Sequence, residues 1–332
     1  MDVSRITLSV EQALQLGCDA LAGAGLPADE AQVIAEHLVD NMLCGYEFAG
    51  LPRVLAIADS PNLRAPQTAI QVVHETSASA LIDGGNHVGY WPVLQGAQLA
   101  ARKAQENGIA LVGVNNCWFS GRNAYYLEHI ARKGLIAIHT ASALGQVVPP
   151  GATRPLLGTN PLAFGLPGRD DPLIFDMCTS ATTWGDVLLY AMLDKHFPEG
   201  VGVDADGNAT TSAKDMVKGG ILPFGGHKGF GLSLVIQALG ILAGAKRAAG
   251  KVVDSGFIFI VIDPGLLMPR EAFQDQLAEM LDQVRALPLQ PGVDSIRIPS
   301  ERAFAERAKR LREGVAVPVK VVEQLRALAA RK

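Results

Sequence analysis

Several short segments combine residue types that bind anions and carboxylates. Gly225-Gly226-His227-Lys228-Gly229-Phe230-Gly231 opens an apolar helical stretch at 229–242. A helix start with free N–H groups, a lysine and flexible glycines suits a phosphate group. The same run also reads as a glycine turn carrying a solvated lysine. Gly158-Thr159-Asn160-Pro161 is a compact polar turn between two apolar segments. Asp176-Met177-Cys178-Thr179-Ser180 follows an apolar strand at 173–175, a place where α/β proteins put ligand contacts. Helix capping by Thr or Ser accounts for that segment equally well. Asn116-Cys117-Trp118-Phe119-Ser120-Gly121-Arg122 reads as a loop after a strand at 109–114, and Arg53 follows Gly50-Leu51-Pro52. An arginine there offers a fork that fits a carboxylate.

The elements that must position these segments follow from apolar periodicity. Residues 7–25, 31–43 and 51–58 have helical spacing. Residues 70–73 and 79–82 read as strands, and Asp83-Gly84-Gly85-Asn86 as a turn that separates them from the next helix. That helix at 91–107, the strand at 109–114, a helix at 124–133 with Gly134 as its cap, and a strand at 135–140 come next. The strand 257–262 is strongly apolar. Residues 271–286, 301–313 and 319–328 are amphipathic helices. Helices therefore dominate both ends, and mixed α/β texture occupies the middle.

The chain has 332 residues and a formal net charge of −4, with 48% apolar and 19% charged residues. That balance provides a core and argues against global disorder and against a basic nucleic-acid footprint. No run approaches the roughly 18 apolar residues a membrane-spanning helix needs. The first residues lack the basic start and apolar block of a secretory signal. Cys18, Cys44, Cys117 and Cys178 have no paired spacing, so neither a zinc site nor a disulfide framework is expected. Asp204, Asp206 and Gly207 resemble half a calcium loop without its closing Glu and read as a surface turn. A cytoplasmic protein without metal, nucleic acid or membrane partners is expected. G-x-G-x-x-G after a strand and the P-loop are both absent.

The order of these segments carries more than any one of them. Asp83-Gly84-Gly85-Asn86-His87-Val88-Gly89, Gly158-Thr159-Asn160-Pro161, Asp176 with Thr179-Ser180, Gly225-Gly226-His227-Lys228-Gly229, the strand ending in Asp263-Pro264, and Ile298-Pro299-Ser300-Glu301-Arg302 follow one another along the chain. As a set they resemble the malate/L-lactate dehydrogenase-like oxidoreductases, which are unrelated to the Rossmann-type lactate dehydrogenases. Within that family the chain looks most like the Δ1-piperideine-2-carboxylate/Δ1-pyrroline-2-carboxylate reductases. Asp186 in Trp184-Gly185-Asp186-Val187 supports that branch, because many 2-hydroxy-acid members carry Lys there.

The resemblance implies an α/β, non-Rossmann fold in which residues 1–68 and 265–332 form a mainly helical domain and 69–264 an α/β cofactor-binding domain. It implies a homodimer and hydride transfer from NADPH, with NADH as the alternative, to an sp2 carbon beside a carboxylate. Residues Phe119-Ser120-Gly121-Arg122, Thr159, Asp176 with Cys178-Thr179-Ser180, and His227-Lys228-Gly229 fall on cofactor-lining positions, and Arg302 near the phosphate end. Arg53 would pair with the substrate carboxylate, with Phe48 and Trp184 beside it.

Two departures fall where the chemistry lies. The family pattern G-x-D/E-S-H-G-x-x-R corresponds here to Gly45-Tyr46-Glu47-Phe48-Ala49-Gly50-Leu51-Pro52-Arg53, with Phe48 at the Ser and Ala49 at the His. The pattern N-S-x-H-F-G corresponds to Asn116 to Gly121, with Phe119 at the His. In the imine reductases the first His is the proton donor and the Ser and the Asp matched by Asp186 are its relay; only Asp186 remains. Neither Phe nor Ala can donate a proton. An iminium already carries its proton, whereas a ketone needs one on the developing alkoxide. The chain therefore reads first as a reductase of a cyclic imine carboxylate. Asp186 would stabilise the iminium, and Glu47, Tyr46, His87 or water would do any remaining proton work. Phe48, Trp118, Phe119 and Trp184 would make the pocket aromatic, fit for a bulky or cationic substrate. A redox-neutral enzyme or a pseudoenzyme on the same scaffold is the alternative, and a plain 2-oxo-acid reductase ranks last.

Overall fold

The computed structural model describes residues 4–248, 251–252 and 254–331. Along the chain come β1 (Arg5–Leu8), α1 (Val10–Gly23), α2 (Ala28–Leu43), α3 (Pro52–Ala58), β2 (Gln71–Glu75), β3 (Ser79–Val88), α4 (Tyr90–Asn107), β4 (Ile109–Trp118) and α5 (Asn123–Ala131). Then follow β5 (Ile136–Ala141), β6 (Leu162–Leu166), β7 (Leu173–Met177), α6 (Trp184–Met192), β8 (Gly202–Val203), β9 (Ala209–Thr210), α7 (Ala213–Lys218), β10 (Gly220–Ile221) and α8 (His227–Leu242). The last are β11 (Arg247–Ala248), β12 (Lys251–Val252), β13 (Phe257–Ile262), α9 (Arg270–Arg285), α10 (Glu301–Glu313), β14 (Val315–Pro318) and α11 (Val319–Ala329).

The two ends of the chain meet. β1 pairs antiparallel with β14, joining Leu8 to Val315 and Ile6 to Val317. The sequence expectation of a helix from residue 7 is corrected here. Residues 5–8 are a strand, and Ser9 then closes a capping box in which its Oγ accepts from the Gln12 amide. Leu21, Ile34, Leu38, Met42, Leu51 and Ile57 share a core with Val315, Val317, Val322 and Leu325. That core fixes α2 and the short segment carrying Tyr46, Phe48 and Arg53.

A second core lies on the seven-stranded sheet β2-β3-β4-β13-β5-β6-β7, packed against α4 and α5. Only β3 and β4 are parallel, joined by the α4 crossover. Asp83-Gly84-Gly85-Asn86 is not a turn. β3 runs through it, pairing Asp83 with Asn115 and His87 with Cys117, and the extra residues form a bulge. Gly85 and Asn86 take left-handed backbone there, and a Cβ on Gly85 would lie 2.1 Å from the Thr68 carbonyl oxygen. β4 likewise continues to Trp118, so the loop is 119–122 alone.

A third, smaller core gathers Val147, Leu157, Val187, Met216 and Ile221 under α6 and α7. Among the described residues no helix is long and apolar enough to cross a membrane, and no group of three or more His, Cys, Asp or Glu is placed to hold a metal ion.

Candidate functional site

The 119–122 loop is set by bonds from three sides. The Trp118 carbonyl accepts from the Gly89 amide, the Tyr126 hydroxyl donates to the Ser120 carbonyl, and the Arg122 amide donates to His37 Nε2 at 3.1 Å. Phe119 and Gly121 both have positive φ, 56° and 76°. This places the Phe119 ring, 42% exposed, at the edge of the loop.

Arg53, from α3, has its guanidinium carbon 5.4 Å from the ring centroids of both Phe48 and Phe119. No carboxylate among the described residues lies within ion-pair distance of it, so its N–H fork is left for a ligand. Burial pushes the hydroxyl of Tyr90 up to about 12, with the positive charge of Arg53 pulling the other way. Phe48 packs against the start of α6, where a Cβ on Gly185 would lie 2.9 Å from the ring. There Thr183 caps the helix: its hydroxyl accepts from the Asp186 amide at 3.1 Å and donates to the Asp186 carboxylate at 2.8 Å. Asp186 is exposed and keeps its second oxygen open. Trp184 packs on the third core. Trp118 is buried, with its indole donating to the Asn86 carbonyl, so it does not line the pocket.

On the other side of the loop, Arg122 donates to Asp40 at 2.6 Å and to Asn41 at 2.9 Å, and its guanidinium lies over the Tyr46 ring. Arg302 lies over the same ring at 5.7 Å. Tyr46, Arg122, Asp176, Arg297, Ser300 and Arg302 line a cavity of about 320 Å³. It shares Ile298, Pro299, Ser300 and Phe304 with a neighbouring groove of about 470 Å³ between the β6–β7 turn and α9–α10. Ser300, in left-handed backbone at the N-cap of α10, gives that helix no side-chain cap. The first-turn amides, Arg297 and Arg302 therefore form a cationic wall. Arg297 was not singled out from the sequence, where nothing sets it apart from other surface arginines.

The end of β7 and the residues just after it bond to two helix N-termini, that of α5 at this cavity and that of α8. Asp176 accepts from the Ala124 amide at 2.9 Å and from Asn123 Nδ2, at the start of α5. The Thr179 carbonyl accepts from the Phe224 amide, in the turn that opens α8. A Cβ on Gly229 would lie 2.4 Å from the Phe224 carbonyl oxygen, so the turn closes only over glycine. The Thr159 carbonyl accepts from both the amide and the hydroxyl of Thr179, and the Ser180 hydroxyl donates to the Thr182 carbonyl. Those two hydroxyls shape the turn. Cys178 sits within it, 3.5 Å from the Ser180 carbonyl. His227 and Lys228 are exposed at the α8 N-terminus.

His87 and Glu47 are already engaged. His87 Nδ1 lies 3.0 Å from Glu30 and its Nε2 3.1 Å from the Thr68 carbonyl. Glu47 pairs with Arg5 at 2.6 Å and Arg310 at 3.6 Å. Asp204 folds back on the amides of Asp206 and Asn208 as a surface turn.

The arginines and the first-turn amides of α10 at this cavity fit a phosphate of a dinucleotide, while Asp176 and Glu128, which also line it, are acceptors suited to hydroxyl groups.

Comparison with known proteins places the sequence and the fold in one family. The sequence profile of the malate/L-lactate dehydrogenase family matches residues 8–326. The malate dehydrogenase of Pyrococcus horikoshii is 32% identical over 331 residues, covering 94% of this chain and 91% of that protein. A Δ1-pyrroline-2-carboxylate/Δ1-piperideine-2-carboxylate reductase of Pseudomonas putida is 37% identical over 250 residues, 71% of each chain. The crystal structure of Δ1-piperideine-2-carboxylate reductase from Pseudomonas syringae pv. tomato superposes with a TM-score of 0.84 at 28% identity, covering 97% of this chain and 99% of that one.

Proposed function

The chain belongs to the malate/L-lactate dehydrogenase family of oxidoreductases, and from that premise we propose that it is an NADPH-dependent reductase of a cyclic imine carboxylate. The observation that carries the reading is Arg53, an unpaired guanidinium lying over the rings of Phe48 and Phe119.

NADPH, when bound, supplies the hydride. The residues of this chain do the rest. Arg53 takes the substrate carboxylate through its N–H fork. Phe48 and Phe119 flank the guanidinium and, with substrate in place, would shield the pairing from part of the solvent, which strengthens it. Asp186, at the start of α6 beside Phe48, stabilises a cationic C=N group. The iminium brings its own proton, and hydride addition at carbon leaves a neutral amine. Such a substrate suits a pocket whose Ser and His positions are Phe48 and Ala49 and whose second His position is Phe119. Arg297 and Arg302 support NADPH over NADH, because a 2′-phosphate gives their charges a partner.

A homodimer is part of the proposal. α8 leaves Leu234, Val235, Ile241 and Leu242 exposed at 46–62%, and α6 leaves Met192 exposed at 74%. A second copy of the chain would cover these apolar side chains.

The relatives favour a second reading. The P. horikoshii protein, matched along 94% of this chain, is a malate dehydrogenase, so a 2-hydroxy-acid substrate is the alternative. One experiment separates them: NADPH oxidation by the purified chain with Δ1-piperideine-2-carboxylate, with pyruvate and with oxaloacetate. The proposal expects turnover of the imine and little of either ketone. Ketone turnover alone would replace it by the second reading. Tight NADPH binding without oxidation of any of them would point to a redox-neutral role.

A further inference from the structure

We propose that His37 is a positioning residue whose Nε2, as a hydrogen-bond acceptor, fixes the 119–122 loop between the two halves of the site. The inference rests on the reading above for its effect on NADPH; its effect on the loop is independent of that reading.

His37 lies on α2 and is fully buried. Its Nε2 accepts the Arg122 amide at 3.1 Å. Its Nδ1 is buried with no hydrogen-bond partner among the described residues. With Nε2 as acceptor, the ring proton must sit on Nδ1, where it meets no acceptor. Interiors seldom keep such an unmet donor without a use for the other nitrogen. The ring is held in this orientation by a stack on Tyr125 at 4.1 Å and by the edges of Tyr90 at 4.8 Å and Tyr126 at 5.2 Å.

The loop is built to meet that ring. A Cβ on Gly121 would lie 2.3 Å from Tyr90 and 2.7 Å from His37 Nε2, and its φ is 76°. On one side of this contact Phe119 reaches Arg53, and on the other Arg122 reaches Tyr46. The single bond from His37 therefore sits between the proposed carboxylate site and the cationic cavity.

This bond exists only with a neutral ring. The groups facing His37 are Arg122 from the loop, Tyr90 from α4, and Tyr125, Tyr126 and His129 from α5; Glu36 and Asp40 lie nearby on α2 itself, where both act on Tyr125. Burial, then Arg122 and His129, hold its ionisation well below the usual histidine range. Protonation would set an Nε2–H against the Arg122 N–H, so acid must break the contact.

The test compares the wild-type chain with His37→Gln and His37→Leu. Amide hydrogen exchange of the segment around 119–123, corrected for intrinsic rates, is followed from about pH 8 down to about pH 3.5, well below the usual histidine range, with NADPH affinity by fluorescence on the same samples at about pH 7.5. His37→Leu removes the acceptor and is expected to speed loop exchange, and to weaken NADPH, by about tenfold at pH 7.5. His37→Gln keeps an acceptor that cannot be protonated. It is expected to restore protection and to abolish the acid-side loss seen in the wild type. Wild-type loop exchange in His37→Leu would overturn the proposal. If His37→Leu does not fold, an unchanged acid-side loss in His37→Gln would overturn it as well. A loop that responds as expected in a protein that binds no NADPH would sustain the positioning role and overturn the cofactor reading.

Discussion

The Phe119 ring centroid lies 5.4 Å from the guanidinium carbon of Arg53, and the backbone that carries the ring is left-handed, with φ 56°. A bulky side chain in that region costs about 1–2 kcal/mol, while a cation–π contact returns about 0.5–2 kcal/mol. The contact and the strain nearly cancel. Phe119→Asn relieves the strain, because Asn tolerates this backbone, whereas Phe119→Ala keeps it and loses the contact. Thermal unfolding is expected to leave Phe119→Asn close to wild type and to lower Phe119→Ala by about 1 kcal/mol. Both are expected to raise KM for the imine several-fold. An Asn variant less stable than the Ala variant would contradict the backbone argument.

Arg53 separates charge from geometry. Arg53→Ala removes a charged, forked donor and is expected to raise KM for the carboxylate substrate by roughly 10- to 100-fold. Arg53→Lys keeps the charge but not the fork or the stack, and is expected to fall between the two. NADPH affinity, measured by fluorescence titration, should stay within about twofold in both, because the cationic cavity lies on the far side of the loop. An unchanged KM in Arg53→Ala would remove Arg53 from the site.

Arg297 and Arg302 make the nucleotide choice testable. Each is expected to contribute roughly tenfold to NADPH affinity and little to NADH. Titration of the Arg297→Ala and Arg302→Ala chains with both nucleotides, at low and high salt, checks this. The variants should narrow the NADPH preference and flatten the salt dependence together. Equal losses for the two nucleotides would assign the arginines to the part that both share.

Much of this arrangement was legible in the sequence, for local reasons. α10 lies where the charge and apolar spacing put it, at Glu301–Glu313. Phe48 and Arg53 are neighbours in sequence as well as in space. Other parts depended on distant partners. β1 is too short to declare itself until β14, some 300 residues later, pairs with it. The Asp83 to Asn86 run has turn chemistry, yet β4 alongside carries the strand through it as a bulge. Nothing in the sequence marks His37, because its partner, the Arg122 amide, is a backbone group 85 positions away. The Thr183 and Asp186 capping pair at the start of α6 is, by contrast, a local signal, which the sequence reading did not single out.

Glu128 joins α5 to α10. Arg307 grips it with two hydrogen bonds of 2.7 and 2.6 Å, and Arg132 adds a third at 2.8 Å. Burial pushes the Glu128 carboxyl up, and Arg307 with Arg132 overrides this to hold it below the usual carboxylate range. Glu128→Gln leaves Arg307 with only Asp40, at 3.1 Å, as a charge partner among the described residues. The expected cost is about 2–3 kcal/mol in urea unfolding at neutral pH, below that of a fully buried pair because Asp40 remains. The folded carboxyl ionises more readily than the unfolded one. Its contribution is therefore present above the unfolded value of 4.5 and fades as pH falls through the lower folded value. The stabilities of Glu128→Gln and the wild type should converge in that acid range.

His139 gives a second acid window of the same sign, closer to neutrality. It lies on β5, fully buried, stacked on Phe259 at 4.0 Å, with Nδ1 against the Ile258 carbonyl and Nε2 without a partner among the described residues. Burial lowers its ionisation to about 4, with the bond to Ile258 resisting. The unfolded chain takes up this proton below about pH 6.5 while the folded chain does not, so stability is full above that value and falls as pH drops toward 4. At pH 5 the loss from His139 alone is about 2 kcal/mol relative to pH 7.5. His139→Phe keeps the stack and gives up the bond to Ile258. It is expected to be about 1 kcal/mol less stable at pH 7.5. The variant's decline on going to pH 5 should nonetheless be smaller by about the 2 kcal/mol assigned to this ring. Urea unfolding at both pH values measures each quantity. Equal declines in variant and wild type would mean that the acid sensitivity of the sheet core comes from another group.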